Sequence, residues 1–263
     1  AGIGLVLLGR RWLGRHGMRI AALWSVIALL CGMLSYRLLM QGVTDISILE
    51  AGSSTALLLE RDGHTGVVLM GDDTAVLAAA CELDRRNVRT VDFLMMPRLD
   101  DRCAFCPMIL TGKVGVNCLV TGPSGEYSDT VDALNIGDRA SFEDGGITFW
   151  NDCLAELENG WLRITIGQTR LLLCSCKENA SGLKPDFRQT NLVVISGSPP
   201  LHVSAIRAQA GVLCCRQDLL ADVIKTIPRG TYPLYNTSGG DVRILTRGRG
   251  DITIKGGNMF AGE

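Results

Sequence analysis

The residues with the clearest potential for chemistry follow a mostly apolar run at positions 91–96, VDFLMM. A short apolar run of this length predicts a buried strand. The loop after the run carries two basic residues, two acids and a cysteine, namely Arg98, Arg102, Asp100, Asp101 and Cys103. Polar side chains at the end of a buried strand are where α/β proteins commonly bind ligands and metal ions. This strand end is therefore the first candidate site.

The spacing of cysteines provides a second set of candidates. Cys103 and Cys106 have the C-x-x-C spacing, and one residue separates Cys174 from Cys176. Thiolates bind zinc, but a zinc site built from cysteines usually has two C-x-x-C pairs, and the sequence has one. Two interpretations stay open: a cysteine-based metal site or disulfide, or small, semi-apolar side chains that fill a pocket.

Histidine is scarce in this chain. The three histidines are His16, His64 and His202, and they lie far apart in the sequence. A two-metal hydrolytic site normally combines several imidazoles with carboxylates. The histidine content therefore argues against a histidine-rich metal centre.

An apolar segment near the start predicts a membrane-spanning helix at about residues 20–40. Residues 20–36 carry no charged side chain, and three apolar residues follow Arg37. The segment is close to the roughly 20 residues needed to cross a bilayer. Four arginines precede it, so the positive-inside rule puts residues 10–19 in the cytoplasm and the chain from Asp45 onward outside. A buried core helix, an uncleaved signal sequence and a cytoplasmic domain are the alternatives.

The sequence divides into three parts. Residues 1–44 form a membrane segment, in which the apolar start, AGIGLVLLG, has the composition of the end of an earlier membrane helix. Residues 45–257 form one domain, and residues 258–263 form a tail. Five arginines and no acid precede residue 45, so the remaining 21 basic and 27 acidic residues give a net charge of −6. This balance excludes an overall basic, nucleic-acid-binding domain, although a local basic stretch lies at residues 243–255.

Two strand-rich halves follow the membrane segment. The first half has apolar or alternating runs at 45–50, 56–61, 67–70 and 91–96, with a helical pattern at 73–87 and a further strand at 116–121. The second half has strand patterns at 161–166, 170–174, 192–195 and 212–215, with helical patterns at 198–210 and 219–225. Closing strands are predicted at 232–234, 242–246 and 251–255. Such halves predict an α/β (α+β) fold, a four-layer αβ/βα sandwich, with a three-layer α/β domain as the alternative.

The order of these elements resembles the C-terminal metallo-β-lactamase-like domain of the ComEC family of competence DNA-uptake proteins. In that family a last membrane helix leads into a strand that ends Asp-x-Gly-Gln-Gly-Asp, where this sequence has ILEAGSSTA at 48–56. Later family motifs, Thr-His-x-Asp-x-Asp-His, Thr-Gly-Asp and Gly-His-His-Gly-Ser, correspond to residues 97–103, 174–176 and 194–199. The resemblance covers most of residues 20–255 and rests on order, spacing and strand pattern.

The resemblance implies which residues stand at the family's metal-binding positions. Arg98 replaces the first histidine, Arg102 an aspartate, Cys103 the next histidine and Cys176 the bridging aspartate. Ser196 or Gly197 replaces the histidine pair, whereas Asp100 keeps a carboxylate. Active family members would hold two zinc or manganese ions there. An arginine in such a position repels a divalent cation. We therefore expect no metal cofactor and no catalytic residue, with one metal on Asp100, Cys103 and Cys176 as the weaker alternative.

The resemblance also implies a function. We expect a membrane-tethered, catalytically inactive domain of a DNA-internalisation protein, with the membrane, DNA, other competence-machinery proteins and upstream channel helices as partners. The expected location is a cell membrane, in a multi-pass protein whose globular domain lies outside the cytoplasm. An active metal-dependent nuclease or phosphodiesterase that degrades one strand of incoming DNA is the alternative, and a remnant without any role is a third possibility.

Overall fold

The structure, a computed structural model, describes residues 15–98, 103, 105–122, 136–142, 145–174, 180–197, 203–226 and 232–260. The chain divides into two compact units, at residues 1–42 and 43–263. The described part of the first unit is a single helix, α1 (Arg15–Met40). Its stretch from Arg19 to Met40 is 22 residues long with a mean hydropathy of 1.7, which is sufficient in length and composition to cross a membrane, although signal sequences meet the same criteria.

The second unit contains two eight-stranded mixed sheets. The first sheet has the strand order β15-β14-β1-β2-β3-β4-β5-β6. Its strands are β1 (Thr44–Leu49), β2 (Thr55–Arg61), β3 (His64–Met70), β4 (Thr90–Met96), β5 (Gly115–Thr121), β6 (Asp138–Ser141), β14 (Val242–Thr246) and β15 (Thr253–Gly256). The helices α2 (Asp73–Arg85) and α3 (Cys106–Thr111) follow β3 and β4. The strands from β3 to β6 are parallel neighbours, and the other pairs are antiparallel.

The second sheet repeats this plan with the order β16-β13-β12-β11-β10-β9-β8-β7. Its strands are β7 (Ile147–Phe149), β8 (Cys153–Glu158), β9 (Trp161–Ile166), β10 (Thr169–Cys174), β11 (Leu192–Ser196), β12 (Ala210–Cys214), β13 (Leu234–Asn236) and β16 (Asn258–Phe260). The helix α4 (Gln217–Thr226) follows β12. The strands from β10 to β13 are parallel, as in the corresponding part of the first sheet.

Three hydrophobic cores lie between the layers of sheet and helix in this unit. The central core lies between the sheets and includes Ile46 and Leu57 of the first sheet with Ile164 of the second. A second core packs α2 and α3 on the outer face of the first sheet, and a third packs α4 on the outer face of the second. Each sheet therefore buries both faces, which explains why β4 and β11 read as continuous apolar runs. Two mixed sheets with helices outside them confirm the predicted α/β fold.

Three sequence predictions differ from the structure. The helix predicted at 198–210 is wrong over its described part: Val203–Ala205 form one 3-10 turn and Ala210 already belongs to β12. The backbone nitrogen of Arg207 donates to the Arg188 oxygen at 2.8 Å, so this segment is held as an extended connection. β8 was not predicted, and the strand predicted at 232–234 begins at Leu234. Residues 258–260, placed in the tail by the sequence, pair as β16 with β13.

Candidate functional site

The two sheets bring the ends of their strands together at one edge of the sandwich. β1, β3 and β4 end there, and so do β10, β11 and β12; we call it the strand-end edge. At this edge the loops of the two sheets lie close together. A Cβ atom on Gly197, which follows β11, would lie 3.4 Å from the backbone oxygen of Ser53, which follows β1. A Cβ on Gly52 would lie 3.8 Å from the Cγ of Arg216, after β12. The ends of the strands β4, β10 and β11, which precede predicted site residues, thus lie at one edge of the sandwich.

The candidates after β4 are divided between solvent and core. Arg98 is exposed, whereas Cys103 is only 4 % exposed and lies in the core beneath α2 and α3. The Cys103 thiol donates to the Arg98 backbone oxygen, with Sγ and oxygen 3.3 Å apart. Asp100 and Arg102 lie outside the described residues. The described thiol at this position is therefore turned away from the cleft and into the helix-side core.

The second cysteine of the C-x-x-C pair also belongs to this core. Cys106 is 1 % exposed, and its Sγ lies 3.4 Å from Oδ1 of Asp73 at the start of α2. Burial raises the pKa of the Cys106 thiol, and the neighbouring Asp73 carboxylate raises it further. Both cysteines of the pair therefore pack in the helix-side core of the described structure.

The candidates after β10 and β11 hold two parallel strands together. Ser196 is 3 % exposed, and its hydroxyl donates to the Cys174 backbone oxygen at 3.0 Å. Cys174 is itself buried at 1 % exposure in the core beneath α4. Cys176 lies outside the described residues. The Ser196 hydroxyl, at the position that the resemblance assigns to the histidine pair, thus donates its hydrogen bond to a backbone oxygen.

Cysteines elsewhere at the strand-end edge are also buried. Cys214 is fully buried at the end of β12, and burial raises the pKa of its thiol to about 12 despite hydrogen bonds with Thr55 and Thr237. Burial also raises the pKa of Cys215. All nine cysteines that the structure describes are free thiols. The disulfide alternative therefore has no support within the described ranges.

A hydrogen-bonded network that the sequence analysis missed joins the loop after β1 to the start of α2. The Ser54 hydroxyl donates to Oδ1 of Asp72 at 2.7 Å, and the same oxygen accepts the backbone nitrogen of Thr74 at 3.0 Å. The Thr74 hydroxyl donates to the Ala51 oxygen at 2.9 Å. Burial raises the pKa of Asp72, but the hydrogen bonds from Thr74 and Ser54 outweigh it, so the net pKa is lowered. Asp72 is the N-cap of α2, a role that an acid followed by an apolar helical pattern could have indicated.

An open cleft of about 540 Å³ lies at the same edge, between the ends of β1 and β12. Its lining includes Glu50, Arg216, Asp218 and Ser238. The Arg216 guanidinium binds the Asp218 carboxylate, with Nη2 and Oδ2 3.0 Å apart. The described lining thus holds two carboxylates and one arginine that is already paired. The cleft suits a neutral or cationic polar group better than a polyanion.

The histidines do not contribute to this edge within the described structure. His64 begins β3 at the opposite edge, where its Nδ1 lies 3.1 Å from Oδ2 of Asp92. His202 lies outside the described residues, and His16 lies in α1. Among the residues that the structure describes, no group of three His, Cys, Asp or Glu side chains could hold a metal ion. The described donors do not fit a two-metal centre.

Comparisons with known proteins identify the fold. No protein-family model matches this chain, and neither does any curated protein sequence. The metallo-beta-lactamase fold protein YhfI from Bacillus subtilis is similar in structure, with a TM-score of 0.56 and 10% sequence identity, over 81% of this chain and 99% of that one. A diphosphatase from the PhnP family has a TM-score of 0.46 and 9% identity, over 73% of this chain and 94% of that one. The first likeness shows that the part of this chain that it covers has a metallo-β-lactamase-like fold.

Proposed function

We propose that this chain is a membrane-tethered metallo-β-lactamase-like domain that serves DNA internalisation without cutting DNA. The domain acts by gating or assembly beside a multi-pass channel, on the extracytoplasmic side of a cell membrane. Its partners are DNA in transit and the other proteins of a competence-type uptake machinery. The proposal joins the fold, the helix α1 and the resemblance to the ComEC family.

The proposal that the domain does not hydrolyse DNA rests on the hydrogen bonds and burial of Cys103 and Ser196. Both occupy positions where the resemblance requires metal ligands, and both are buried with their side chains donating to backbone oxygens. Either side chain would have to break its hydrogen bond to the backbone and leave its buried position before it could bind a metal ion. Removing a buried hydrogen-bond partner costs about 1–3 kcal/mol per group. This cost supports a structural role for both residues.

The charge of the strand-end edge supports gating or assembly over strand cleavage. A phosphodiester substrate needs cations or metal ions that neutralise its charge in the transition state. The described lining of the cleft has Glu50 and Asp218 against Arg216, and the Glu50 backbone nitrogen is bound by the Asp241 carboxylate at 2.9 Å. A DNA backbone would meet a net negative surface here. A polar segment of a partner protein fits the cleft better.

The test is uptake of fluorescently labelled DNA by cells that carry variants of this gene. Deletion of residues 43–263 should reduce the internalised DNA at least tenfold, since the domain would be needed for passage. The triple variant Asp100→Asn/Cys103→Ser/Cys176→Ser removes the donors of the rearranged metal site. It should keep uptake within twofold of the unmodified gene.

Protein levels measured by immunoblotting provide the control for both variants. Unchanged uptake after the deletion would contradict a role in internalisation. If the triple variant is present at normal levels and takes up as little DNA as the deletion, the hydrolytic alternative replaces the proposal.

A further inference from the structure

The edge opposite the strand-end edge presents a rigid turn that alternates arginine with glycine. Residues 247–250, RGRG, follow β14. The Gln168 nitrogen donates to the Gly248 oxygen at 2.6 Å, and the Gly250 nitrogen donates to Oγ1 of Thr169 at 3.1 Å. Nδ2 of Asn191 donates to the Gly250 oxygen at 2.8 Å. The backbone of this turn is therefore fixed to the second sheet.

The glycines allow this contact, and the arginines face solvent. Gly248 has φ +72°, and a Cβ on it would lie 3.0 Å from the Ile166 backbone oxygen. No other residue type fits so close an approach at a positive φ without strain. Arg247 and Arg249 are both exposed. The turn thus presents two cationic side chains from a backbone that hydrogen bonds hold to the second sheet.

A third arginine lies beside the turn. Arg207 is exposed, and Gln209, two residues later, donates through Nε2 to the Gly250 oxygen at 3.3 Å. Within the described ranges, neither Arg207 nor Arg249 forms an ion pair with a carboxylate. We call Arg207, Arg247 and Arg249 the arginine edge.

Other charges near this edge are largely balanced. Arg163 and Arg170 share the carboxylate of Asp186, at 2.6 Å and 3.0 Å. Asp251 follows the turn directly and is exposed, so it offsets part of the positive charge. Arg207 and Arg249, neither of which pairs with a carboxylate among the described residues, against this one acid leave a local cationic surface on a domain whose net charge is negative. Exposed guanidinium groups of this kind bind phosphate oxygens.

The path of the chain determines what lies near this surface. Thr44, the first residue of β1, pairs with Thr246, which directly precedes Arg247. The helix α1 ends at Met40, so four peptide units connect it to Thr44. Four units span at most about 14 Å when fully extended. The connection from α1 is therefore short, and it enters the domain beside the arginine edge.

We propose that the arginine edge binds the phosphate headgroups of anionic phospholipids. The contact would orient the domain, holding the strand-end edge away from the bilayer and open to partners. The inference rests on the membrane tether in the proposed function. A DNA backbone offers the same phosphate chemistry, but the short connection between the proposed membrane helix and this edge favours the lipid.

The test measures how fast phenylglyoxal modifies individual arginines of the full chain in lipid nanodiscs. One nanodisc preparation contains phosphatidylcholine alone, and the other contains equal parts of phosphatidylcholine and phosphatidylglycerol. Peptide mass spectrometry gives the rate at each arginine, with the exposed Arg139 of β6 as the internal reference. We expect Arg207, Arg247 and Arg249 to react at least fivefold more slowly with phosphatidylglycerol, and 0.5 M NaCl to abolish the difference.

The outcomes separate this inference from the proposal on which it rests. Equal rates in the two lipid mixtures, in a chain that has entered the nanodiscs, overturn the lipid contact and leave the tether intact. A chain that does not enter nanodiscs overturns the tether and the inference together. Protection by added duplex DNA in neutral nanodiscs, without protection by phosphatidylglycerol, overturns the inference and assigns the surface to nucleic acid.

Discussion

Gly122→Ala should destabilise the domain by about 3 kcal/mol or prevent it from folding. Gly122 follows β5, and its nitrogen donates to the Met96 oxygen at 3.1 Å, which closes the end of the β4–β5 pair. A Cβ at this position would lie 1.9 Å from the Pro97 backbone oxygen and 2.8 Å from its carbonyl carbon. The obstacle is backbone, so no side-chain rotation can relieve it. Either β5 must separate from β4 or the loop that begins at Arg98 must move.

Thermal unfolding of the full chain in detergent, followed by circular dichroism, measures this effect. A loss of about 3 kcal/mol lowers the melting temperature of a domain of this size by about 6–12 °C. Gly182→Ala is the matched control, because a Cβ there meets nothing within 4 Å, and we expect its melting temperature to stay close to that of the unmodified chain. Equal melting temperatures for the two variants would show that the end of β4 is less constrained than the structure indicates.

Cys214 and Cys153 should react with iodoacetamide at least 100-fold more slowly than Cys81 in the folded chain at pH 8. Burial raises the pKa of both thiols to about 12, and both side chains are fully buried. At pH 8 a thiol with a pKa of about 12 is ionised in roughly one molecule in 10⁴, against about one in four for an ordinary cysteine. Cys81 is exposed on α2 and provides the reference.

The measurement is a labelling time course read by peptide mass spectrometry, repeated in urea, where all three cysteines should react at similar rates. Slow labelling of Cys214 means that the thiol at the end of β12 is a protonated core residue. Labelling of Cys214 as fast as Cys81 would instead reveal an accessible thiolate at the strand-end edge, and a cysteine-based metal site would regain support.

The sequence predicted the first sheet well because its strands follow simple rules. β1, β2 and β3 are short apolar or alternating runs separated by turn residues. The Asp62-Gly63 turn, in which both residues have a positive φ, joins β2 to β3. The helical pattern after Asp72 became α2 with little change at its ends. Local pattern and local capping agree in this half of the chain, so they are sufficient.

The missed strand β8 and the wrongly predicted helix at 198–210 both belong to the half of the chain that forms the second sheet. β8 has the sequence CLAELE, in which apolar residues alternate with Glu156 and Glu158 over too few positions to stand out from its neighbours. Arg163 of β9 binds Glu156, seven positions away, at 2.6 Å across the strand pair. Val203 and Ile206 have helical spacing because they pack a connection into the core beneath α4, whereas Ala210 belongs to β12.

The strand ends that precede the candidate site could be predicted from the sequence, whereas the side-chain directions could not. The structure brings the ends of β4, β10 and β11 to one edge, and Asp100, Arg102 and Cys176 lie outside the described residues. Whether Cys103 and Ser196 face a cleft or a core depends on contacts with α3 and β10, which are not encoded locally. The Ser54–Asp72 hydrogen bond, between residues 18 positions apart, was invisible for the same reason.

The metal content of the purified full chain tests the central claim most directly. The chain would be produced in medium supplemented with zinc and manganese, purified without chelators and analysed by inductively coupled plasma mass spectrometry. We expect less than about 0.1 metal ion per chain, because the described donors at the strand-end edge are buried or already bonded. One or two bound ions per chain, lost in the variant Asp100→Asn/Cys103→Ser/Cys176→Ser, would contradict the account and establish a cysteine-containing hydrolytic centre.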